Sequence, residues 1–410
     1  MKASGFEGES DPLSEIAPVP GQGAARPIAE RGLGPPRPTG VILFRPRSER
    51  VGGRELLANA LKIALGLAIS AVFLYFAFRG VDLGEVVEHL RGASYPWLLG
   101  VTAVSVYSNW VRAQRWGLFF RHFRRISPSS LFRSTMIGLA ANNVMPLRVG
   151  EAVRAYSISK KERIAFATSF TTVILERIFD MVTVLLLLAL ALFLVPIPES
   201  ADAQIGGALR LLSAVTAAAI GLVVFLFFKQ ELMVRWVDAS LGLLPSRIAE
   251  PLHHLFHAFL AGLEALTDKR QLLYLFAYSL WLWTCFIIAF WCGAKSLALD
   301  VTHHLPLFRV SLLATVLVAI FIMIPAAPGF VGTFQAGCLV ALGVFGVPKE
   351  EALSFSLLTH AIQFMAVNVI GAYCFLREGI SLREVQHAEE PTPEQIEQEL
   401  EGLEVRPRQD

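Results

Sequence analysis

Charged side chains within apolar stretches are the residues of this sequence that could do chemistry. Glu176, Arg177 and Asp180 lie near one end of an apolar run that continues to residue 195. A charged side chain at the centre of a membrane helix costs about 2.5–3.5 kcal/mol on insertion scales, so such charges must face protein or water. Arg177 and Asp180 are three residues apart and can pair on one helix face. Glu176 then needs another partner, for which we expect Arg148 or Arg154.

A second group of polar residues surrounds a predicted break between two helices. Its members are Asn142, Asn143, Pro146, Arg148, Gly150, Glu151 and Arg154. Pro146 and Gly150 break a helix, and a restart near Val149 would present the positive end of a helix dipole to an anion. Arg148 and Arg154 would add forked donors that suit phosphate, and Glu151 would neutralise one of them or bind a cationic head group. The alternatives are a structural turn with lipid-anchoring arginines, and an ion-pair network that only locks this hairpin to the charged helix.

A third group of small and polar residues interrupts a later apolar stretch. Its members are Pro325, Pro328, Gly329, Gly332, Thr333 and Gln335. They offer backbone and amide donors without charge, and a loop between tightly packed helices is the alternative. His360 and Gln363 share a face of the last apolar helix. A histidine there most often makes an interhelical hydrogen bond, with a proton relay as the alternative.

The composition excludes a soluble or disordered chain. Hydrophobic residues make up 54% of the 410 residues, charged residues make up 17%, and the mean hydropathy is +0.54. An ordinary soluble domain is roughly 25% charged. The net charge of +2 gives no argument for a nucleic-acid partner. The sequence contains no Walker A loop, G-x-S-x-G elbow or H-E-x-x-H helix, so we expect no cofactor, no metal, and a transporter rather than an enzyme.

The apolar segments predict an all-α polytopic membrane protein with about eight membrane segments. A helical span needs roughly 20 apolar residues. The clear candidates lie at 57–78, 95–111, 168–195, 206–228, 271–297 and 352–377. Two further stretches, 131–146 and 308–346, are broken by Pro and Gly and are predicted to form broken or re-entrant hairpins. The 308–346 stretch is also long enough for two full spans.

The distribution of basic residues predicts the orientation of these segments. Arginine and lysine concentrate in the N-terminal tail and in the 112–133 and 148–163 stretches. The N-terminus and both flanks of the first hairpin are therefore expected on the cytoplasmic side. An aromatic and basic anchor at the membrane surface is predicted for Trp110, Arg112, Arg115 and Trp116.

Three regions follow from these patterns. Residues 1–54 are predicted to be a disordered cytoplasmic tail, 55–380 a membrane domain, and 381–410 an acidic cytoplasmic tail. The sequence PLRVGE in the first hairpin echoes PGFVGT in the second. By the charge count the two hairpins enter from opposite sides, which is typical of an inverted repeat whose broken segments meet near the midplane. The first repeat would cover about 57–195 and the second about 206–377, although so short a match also fits chance similarity.

The motifs resemble those of a known membrane family, the lysylphosphatidylglycerol synthase transmembrane or flippase-like (UPF0104-type) family. The resemblance covers roughly 57–380. It rests on Asn143-x-x-Pro146-x-Arg148-x-Gly150-Glu151-x-x-Arg154, Glu176-Arg177-x-x-Asp180 and Pro328-Gly329-x-x-Gly332-Thr333. It implies a translocating membrane module, to which some family members attach a soluble aminoacyltransferase or glycosyltransferase. The tails leave no room for either enzyme, so transferase activity is not expected here.

The resulting prediction is a lipid translocase of the bacterial inner membrane with a cytoplasmic N-terminus. A polar cavity between the repeats would hold the head group of a phospholipid or glycolipid, and a lipid-synthesis enzyme is a possible partner. The oligomeric state stays open. Substrate contacts are expected from Asn143, Arg148, Glu151, Arg154, Glu176, Arg177, Asp180, Thr333, Gln335 and His360. An intramembrane head-group transferase and a non-transporting accessory protein are the alternatives.

Overall fold

The computed structural model describes residues 53–121, 124–145, 149–195, 269–324 and 327–378, with a few isolated positions between 214 and 221. Within these residues the regular structure is helical and contains no strand, which confirms the predicted all-α class there. The helices are α1 (Gly53–Phe78), α2 (Leu83–Arg91), α3 (Tyr95–Phe120), α4 (Pro128–Val144), α5 (Gly150–Glu162), α6 (Phe166–Leu194), α7 (Lys269–Ser296), α8 (Leu299–Thr302), α9 (Leu307–Phe321), α10 (Thr333–Gly343) and α11 (Lys349–Glu378). A 3-10 turn, Pro328–Phe330, lies between α9 and α10.

Several helices are long and apolar enough to cross a bilayer. Thr168–Leu194, Arg270–Ser296 and Lys349–Glu378 meet this test singly and confirm three of the predicted spans. Ala64–Phe78 and Leu83–Arg91 meet it only as a pair bent by 85°. The chain is therefore a multi-pass membrane protein. The total of about eight segments stays a prediction, because most of the expected 206–228 span lies outside the described residues.

The first hairpin consists of α4 and α5, which pack antiparallel. Ser134 Oγ lies 3.0 Å from Ser157 Oγ near its base, and near its tip Asn142 Oδ1 accepts a 2.8 Å hydrogen bond from the Gly150 N–H. A Cβ at Gly150 would overlap the carbonyl oxygen of Gly138, so only glycine allows this approach. The sequence placed 148–163 outside the hairpin. This was wrong, because Gly150–Glu162 is its second arm.

The second hairpin consists of α9, the 3-10 turn and α10. With 15 and 11 residues, both helices are shorter than the roughly 20 residues of a full span, which favours a broken hairpin for the 308–346 stretch. Gly329 and Gly332 have φ of 71° and 92°, conformations that L side chains rarely adopt. Gly332 packs on α1, where an added Cβ would lie 2.8 Å from the Ser70 carbonyl oxygen.

The two hairpins contact opposite ends of α11. At its C-terminal end the Glu378 carboxylate lies 2.9 Å from Arg133 Nε of α4 and 2.6 Å from Lys161 Nζ of α5. At its N-terminal end Glu351 lies 2.8 Å from Nε2 of His303, which precedes α9. The bases of the hairpins therefore lie at opposite ends of this helix.

The hairpin tips meet about midway along α11. A Cβ added to Gly329 would lie 2.8 Å from the Phe364 ring and 3.3 Å from the carbonyl oxygen of Asn143. The two broken segments thus approach the middle of α11 from opposite ends, whereas their entry from opposite sides of the membrane stays a prediction. The inverted repeat itself stays a prediction, because the first expected span of its second half is not among the described residues.

Two apolar clusters hold these elements in place. The larger one joins the ends of α6 and α7 to the second hairpin and α11, with Leu313, Leu342 and Phe355 at 1% exposure or less. The smaller one joins α3, the first hairpin and α6 around Trp116, Phe120 and Leu131. The charged residues of α6 lie beside this second cluster.

Candidate functional site

A buried ion cluster centres on Glu176 of α6. Its Oε1 lies 3.1 Å from Arg115 Nη2 of α3, and its Oε2 lies 2.6 Å from Arg154 Nη2 of α5. Glu176 and Arg115 are 0% exposed and Arg154 is 2% exposed. One carboxylate thus accepts hydrogen bonds from two arginines on different helices. The predicted pairing of Glu176 with Arg154 is confirmed, whereas Arg148 lies outside the described residues.

Arg115 is a site residue that the sequence interpretation missed. It was expected to be part of a surface anchor, which is wrong, because α3 continues past the predicted span end at residue 111 to Phe120. Its Nη1 lies 2.7 Å from Asp180 Oδ1 and donates a 3.0 Å hydrogen bond to Ser279 Oγ of α7. Arg115 therefore connects three helices. The available signal was a polar stripe at helical spacing along α3, formed by Ser105, Ser108, Asn109, Arg112 and Arg115.

Trp116 is the second residue for which the anchor interpretation is wrong. Its side chain is fully buried, and its Nε1–H donates a 2.9 Å hydrogen bond to Thr172 Oγ1. The Arg154 guanidinium lies 4.6 Å from the centre of the indole ring, a cation–π distance. On its other side Arg154 meets Gly138, where an added Cβ would lie 2.6 Å from the Arg154 Cβ. Arg154 is thus fixed between an aromatic face, a glycine and a carboxylate.

A more accessible pair lies beside the buried cluster. Arg177 Nε is 3.3 Å from Glu151 Oε1, and the two side chains are 37% and 30% exposed. Arg177 Nη1 is 3.6 Å from Asp180 Oδ2, which confirms the predicted i,i+3 pair. Asp180 therefore connects the accessible pair to the buried Arg115.

Arg112 has no acidic partner within the part of the chain that the structure describes. No carboxylate there lies within 4.0 Å of its guanidinium, which sits 5.7 Å from the centre of the Phe286 ring. Its Nε–H is buried and donates to no acceptor among those residues. Arg177, Asp180, Glu176 and Arg115 all lie within electrostatic range of it.

The described cluster carries one excess positive charge. Its four arginines are Arg112, Arg115, Arg154 and Arg177, and its three carboxylates are Glu151, Glu176 and Asp180. An uncompensated cation in a low-dielectric region is costly, so this arrangement favours an anion near its accessible edge. Among the described residues no group of three or more His, Cys, Asp and Glu side chains could hold a metal ion.

The tip of the first hairpin lies next to the accessible pair. α4 ends at Val144 and α5 begins at Gly150 after Val149, which confirms the predicted helix restart. Asn143 lies at the contact with the second hairpin through its carbonyl oxygen. Pro146 and Arg148 are outside the described residues. Glu151, in the first turn of α5, brings one carboxylate of the ion cluster next to this break.

The polar residues of the second hairpin are engaged within their own half of the molecule. Gln335 Oε1 accepts a 2.7 Å hydrogen bond from the Gly332 N–H, so its Nε2 is the donor to His360 Nδ1 at 3.1 Å. The predicted interhelical hydrogen bond of His360 is therefore confirmed. Thr333 Oγ1 donates to the Phe330 carbonyl at 3.0 Å. Within the described ranges, no hydrogen bond or ion pair joins these side chains to the ion cluster.

The family follows from a comparison with known proteins. A family model for the lysylphosphatidylglycerol synthase TM region matches residues 63–371. The chain belongs to this family. The resemblance carried by the hairpin and α6 motifs is thereby confirmed, and the match ends within α11, so it leaves both tails outside.

Relatives of this lysylphosphatidylglycerol synthase TM-region protein differ in length. A UPF0104 membrane protein of Methanothermobacter thermautotrophicus is 23% identical over 334 residues, which cover 79% of this chain and 97% of the relative. A UPF0104 membrane protein of Pyrococcus horikoshii is 24% identical, with 77% and 96% covered. Glycosyltransferase AglD of Haloferax volcanii is 24% identical over 342 residues, which are 78% of this chain but only 54% of AglD. All three relatives are archaeal.

Proposed function

We propose that this protein is a membrane lipid translocase that moves a lipid with a phosphate-bearing, charged head group between leaflets. The observation that carries the proposal is the excess positive charge of the ion cluster, whose accessible edge adjoins the helix break of the first hairpin. The head group would pass this edge while its hydrocarbon tails stay in the bilayer. Membership of a family named for a lipid synthase supports a lipid as the cargo.

The geometry redistributes the roles expected from the sequence. Arg154 is buried against Trp116 and Glu176, so it positions the hairpin rather than reaching a head group. Arg177 is accessible and Arg112 lacks an acidic partner among the described residues, so we assign these two to the phosphate. Glu151 would release Arg177 or receive a cationic moiety.

The remaining expected contacts divide into two sets. Asn143 and Arg148 would line the path at the first tip, and Asp180 would hold Arg115 and Arg177 in place. The second-hairpin side chains Thr333, Gln335 and His360 would shape the opposite wall of the path.

The cargo class and the setting are parts of the same proposal. The relative named as a glycosyltransferase favours a sugar-bearing head group, but the aligned region is about half of that protein, so glycosyl transfer is not carried over. We place the protein in the bacterial cytoplasmic membrane, with its N-terminus inside and a lipid-synthesis enzyme as its functional partner. The orientation rests on the basic loops, the partner rests on the name of the family, and the bacterial setting is a prediction from the sequence alone.

A reconstituted flip assay tests the proposal. Purified protein in liposomes containing head-group-labelled fluorescent phosphatidylglycerol is treated with a membrane-impermeant quencher, and the rate of signal loss measures flip. A charge-assisted hydrogen bond contributes about 1.5–3 kcal/mol, so Arg177→Gln should slow flip by about 10- to 100-fold. Arg309→Gln, which removes an exposed arginine at the start of α9, is the matched control and should leave the rate unchanged.

Lipid analysis of cells that lack the gene separates the alternatives. Correct lipids on the wrong leaflet support translocation. Loss of a lipid modification would instead indicate a head-group transferase using the carboxylates as acid–base groups. Unchanged lipids in both leaflets would indicate an accessory protein and would contradict the proposal.

A further inference from the structure

An apolar groove opens on a different side of the molecule from the ion cluster. It lies between α1, the second hairpin and the start of α11 and has a volume of about 460 Å³. Its side chains are hydrocarbon with a single charged group, as shown by Phe73, Phe76, Phe321, Leu339, Val340 and Lys349. Phe76 is 58% exposed and Val340 is 48% exposed, so the groove faces the surroundings of the protein. In a membrane protein those surroundings are lipid chains.

The groove extends over most of the depth of one leaflet. Its inner end is closed where the Ala327 N–H donates a 2.7 Å hydrogen bond to Ser70 Oγ and Gly332 packs on the same residue. Along α10 the lining extends from Ala336 to Gly343, which is a rise of about 10 Å at 1.5 Å per residue. One leaflet contributes about half of the roughly 30 Å hydrocarbon core. A lipid chain that enters at the end of α1 would therefore reach the inner end of the groove.

The Lys349 ammonium group lies at the mouth of the groove and has one N–H donor beyond the two that are hydrogen-bonded. Lys349 Nζ donates hydrogen bonds to the carbonyl oxygens of Phe76 at 2.8 Å and Arg79 at 2.7 Å. An ammonium has three N–H donors, so one remains after these two contacts. The neighbouring Glu351 is paired with His303 at 2.8 Å. Lys349 is the charged residue that lines the groove, so its remaining N–H favours an anionic ligand at the mouth.

We infer that this groove binds one hydrocarbon chain of an anionic membrane lipid, whose phosphate contacts Lys349. The depth fits a chain of one leaflet, and the lysine stands where the phosphate of that leaflet would lie. The inference does not rest on translocation, since the groove shares no residue with the ion cluster. It would hold equally for a lipid that binds permanently.

Photocrosslinking locates the chain. The full-length protein is reconstituted in liposomes with phosphatidylglycerol that carries a diazirine at the end of one acyl chain, and labelled peptides are mapped by mass spectrometry. Labelling should concentrate around Phe73 and Phe321 at the inner end. Equal labelling of lipid-facing positions elsewhere, such as Leu376 at 80% exposure, would show ordinary bilayer lipid and overturn the inference.

A variant that fills the groove, compared with one that adds the same bulk elsewhere, tests whether the lipid chain occupies this space. Gly343 lines the groove, and a Cβ added there meets no atom within 4 Å, so Gly343→Phe should fill the space without strain. Val369→Phe adds the same bulk to an exposed face of α11, where Val369 is 61% exposed. Inner-end labelling should be lost in Gly343→Phe and kept in Val369→Phe. Unchanged labelling in Gly343→Phe, with normal elution on size exclusion, contradicts the inference.

A comparison of phosphatidylglycerol with phosphatidylcholine tests the contact between the head group and Lys349. One lysine near an anionic lipid contributes about 1 kcal/mol, which corresponds to about fivefold preference for phosphatidylglycerol over phosphatidylcholine with the same chains. Lys349→Gln should abolish this preference, whereas Lys349→Arg and Arg309→Gln should keep it. Equal capture of both lipids by the unmodified protein, or a preference that survives in Lys349→Gln, overturns the assignment.

Discussion

Removing the negative charge of Glu176 is the most informative perturbation of the ion cluster. In Glu176→Gln, Arg115 and Arg154 would keep a neutral acceptor but lose the carboxylate that both contact at 3.1 and 2.6 Å. Breaking a buried ion pair by removing one partner costs about 3–5 kcal/mol, and the isosteric amide places the expected loss near the lower end. The cost arises because Arg154 would then have no carboxylate partner among the described residues, and the buried Arg115 would keep only Asp180.

Glu151→Gln is the matched comparison. Glu151 also pairs with an arginine, at 3.3 Å, but its side chain is 30% exposed. Accessible pairs contribute about 0–1 kcal/mol. A change of 1 kcal/mol shifts Tm by about 2–4 °C in domains of 150–250 residues. We therefore expect Glu176→Gln to lower Tm by about 6–12 °C and Glu151→Gln by less than about 4 °C.

The assay is thermal unfolding of the purified protein in detergent, together with the flip rate of each variant. Glu151→Gln should slow flip and keep a Tm close to that of the unmodified protein. Glu176→Gln should show its main effect as a lower Tm. The double variant Glu176→Gln/Arg154→Met should cost about 1–3 kcal/mol less than the sum of its single changes, since the two residues interact directly. Equal Tm values for the two glutamine variants would refute the reasoning, because Glu176 would then be hydrated rather than buried.

Three further changes test other parts of the structure. Ser134→Cys/Ser157→Cys should form a disulfide on mild oxidation, because the two hydroxyl oxygens are 3.0 Å apart and the four native cysteines are buried. A gel shift after proteolysis would show the crosslink. Its absence would contradict the antiparallel hairpin. Gly150→Ala should abolish the folded peak on size exclusion, because its Cβ would overlap the first hairpin, whereas Gly343→Ala in open space should leave that peak unchanged. Gln335→Ala should cost about 1–3 kcal/mol in thermal melts, because the Gly332 N–H loses its acceptor and His360 Nδ1 loses its donor. Thr102→Ala, which removes a hydroxyl bonded only within α3, should change little.

The sequence predicted those features that depend on local pattern. Apolar run length identified three spans, and the Pro and Gly residues located both helix breaks. The pairing of Glu176 with Arg154 was also predictable, because a buried carboxylate requires a partner and few cations lay nearby. These inferences depend only on the free-energy cost of placing polar groups in an apolar environment.

Features that depend on tertiary contact were not predictable in the same way. Arginine and tryptophan are common both at a membrane surface and inside a polar network, so residue type alone could not place Arg115 and Trp116. Their burial follows from the continuation of α3 beside α6 and α7. Similarly, the basic residues of 148–163 pointed to a loop, but α5 folds against α4 because Gly138 and Gly150 allow close packing.

The Glu378 carboxylate at the end of α11 affects how the first hairpin can move, because both arms of the hairpin contact the same oxygen. Arg133 on one arm of the first hairpin and Lys161 on the other both contact Oε1 of Glu378. The two arms and α11 are therefore tied at one point, so the hairpin and this helix would tilt together as one body. Relative motion is left to the seam between the tips, where Gly329 meets Asn143 without a side chain in between. The shared carboxylate and the apolar packing of Met136 and Cys374 beside it therefore favour opening at that seam.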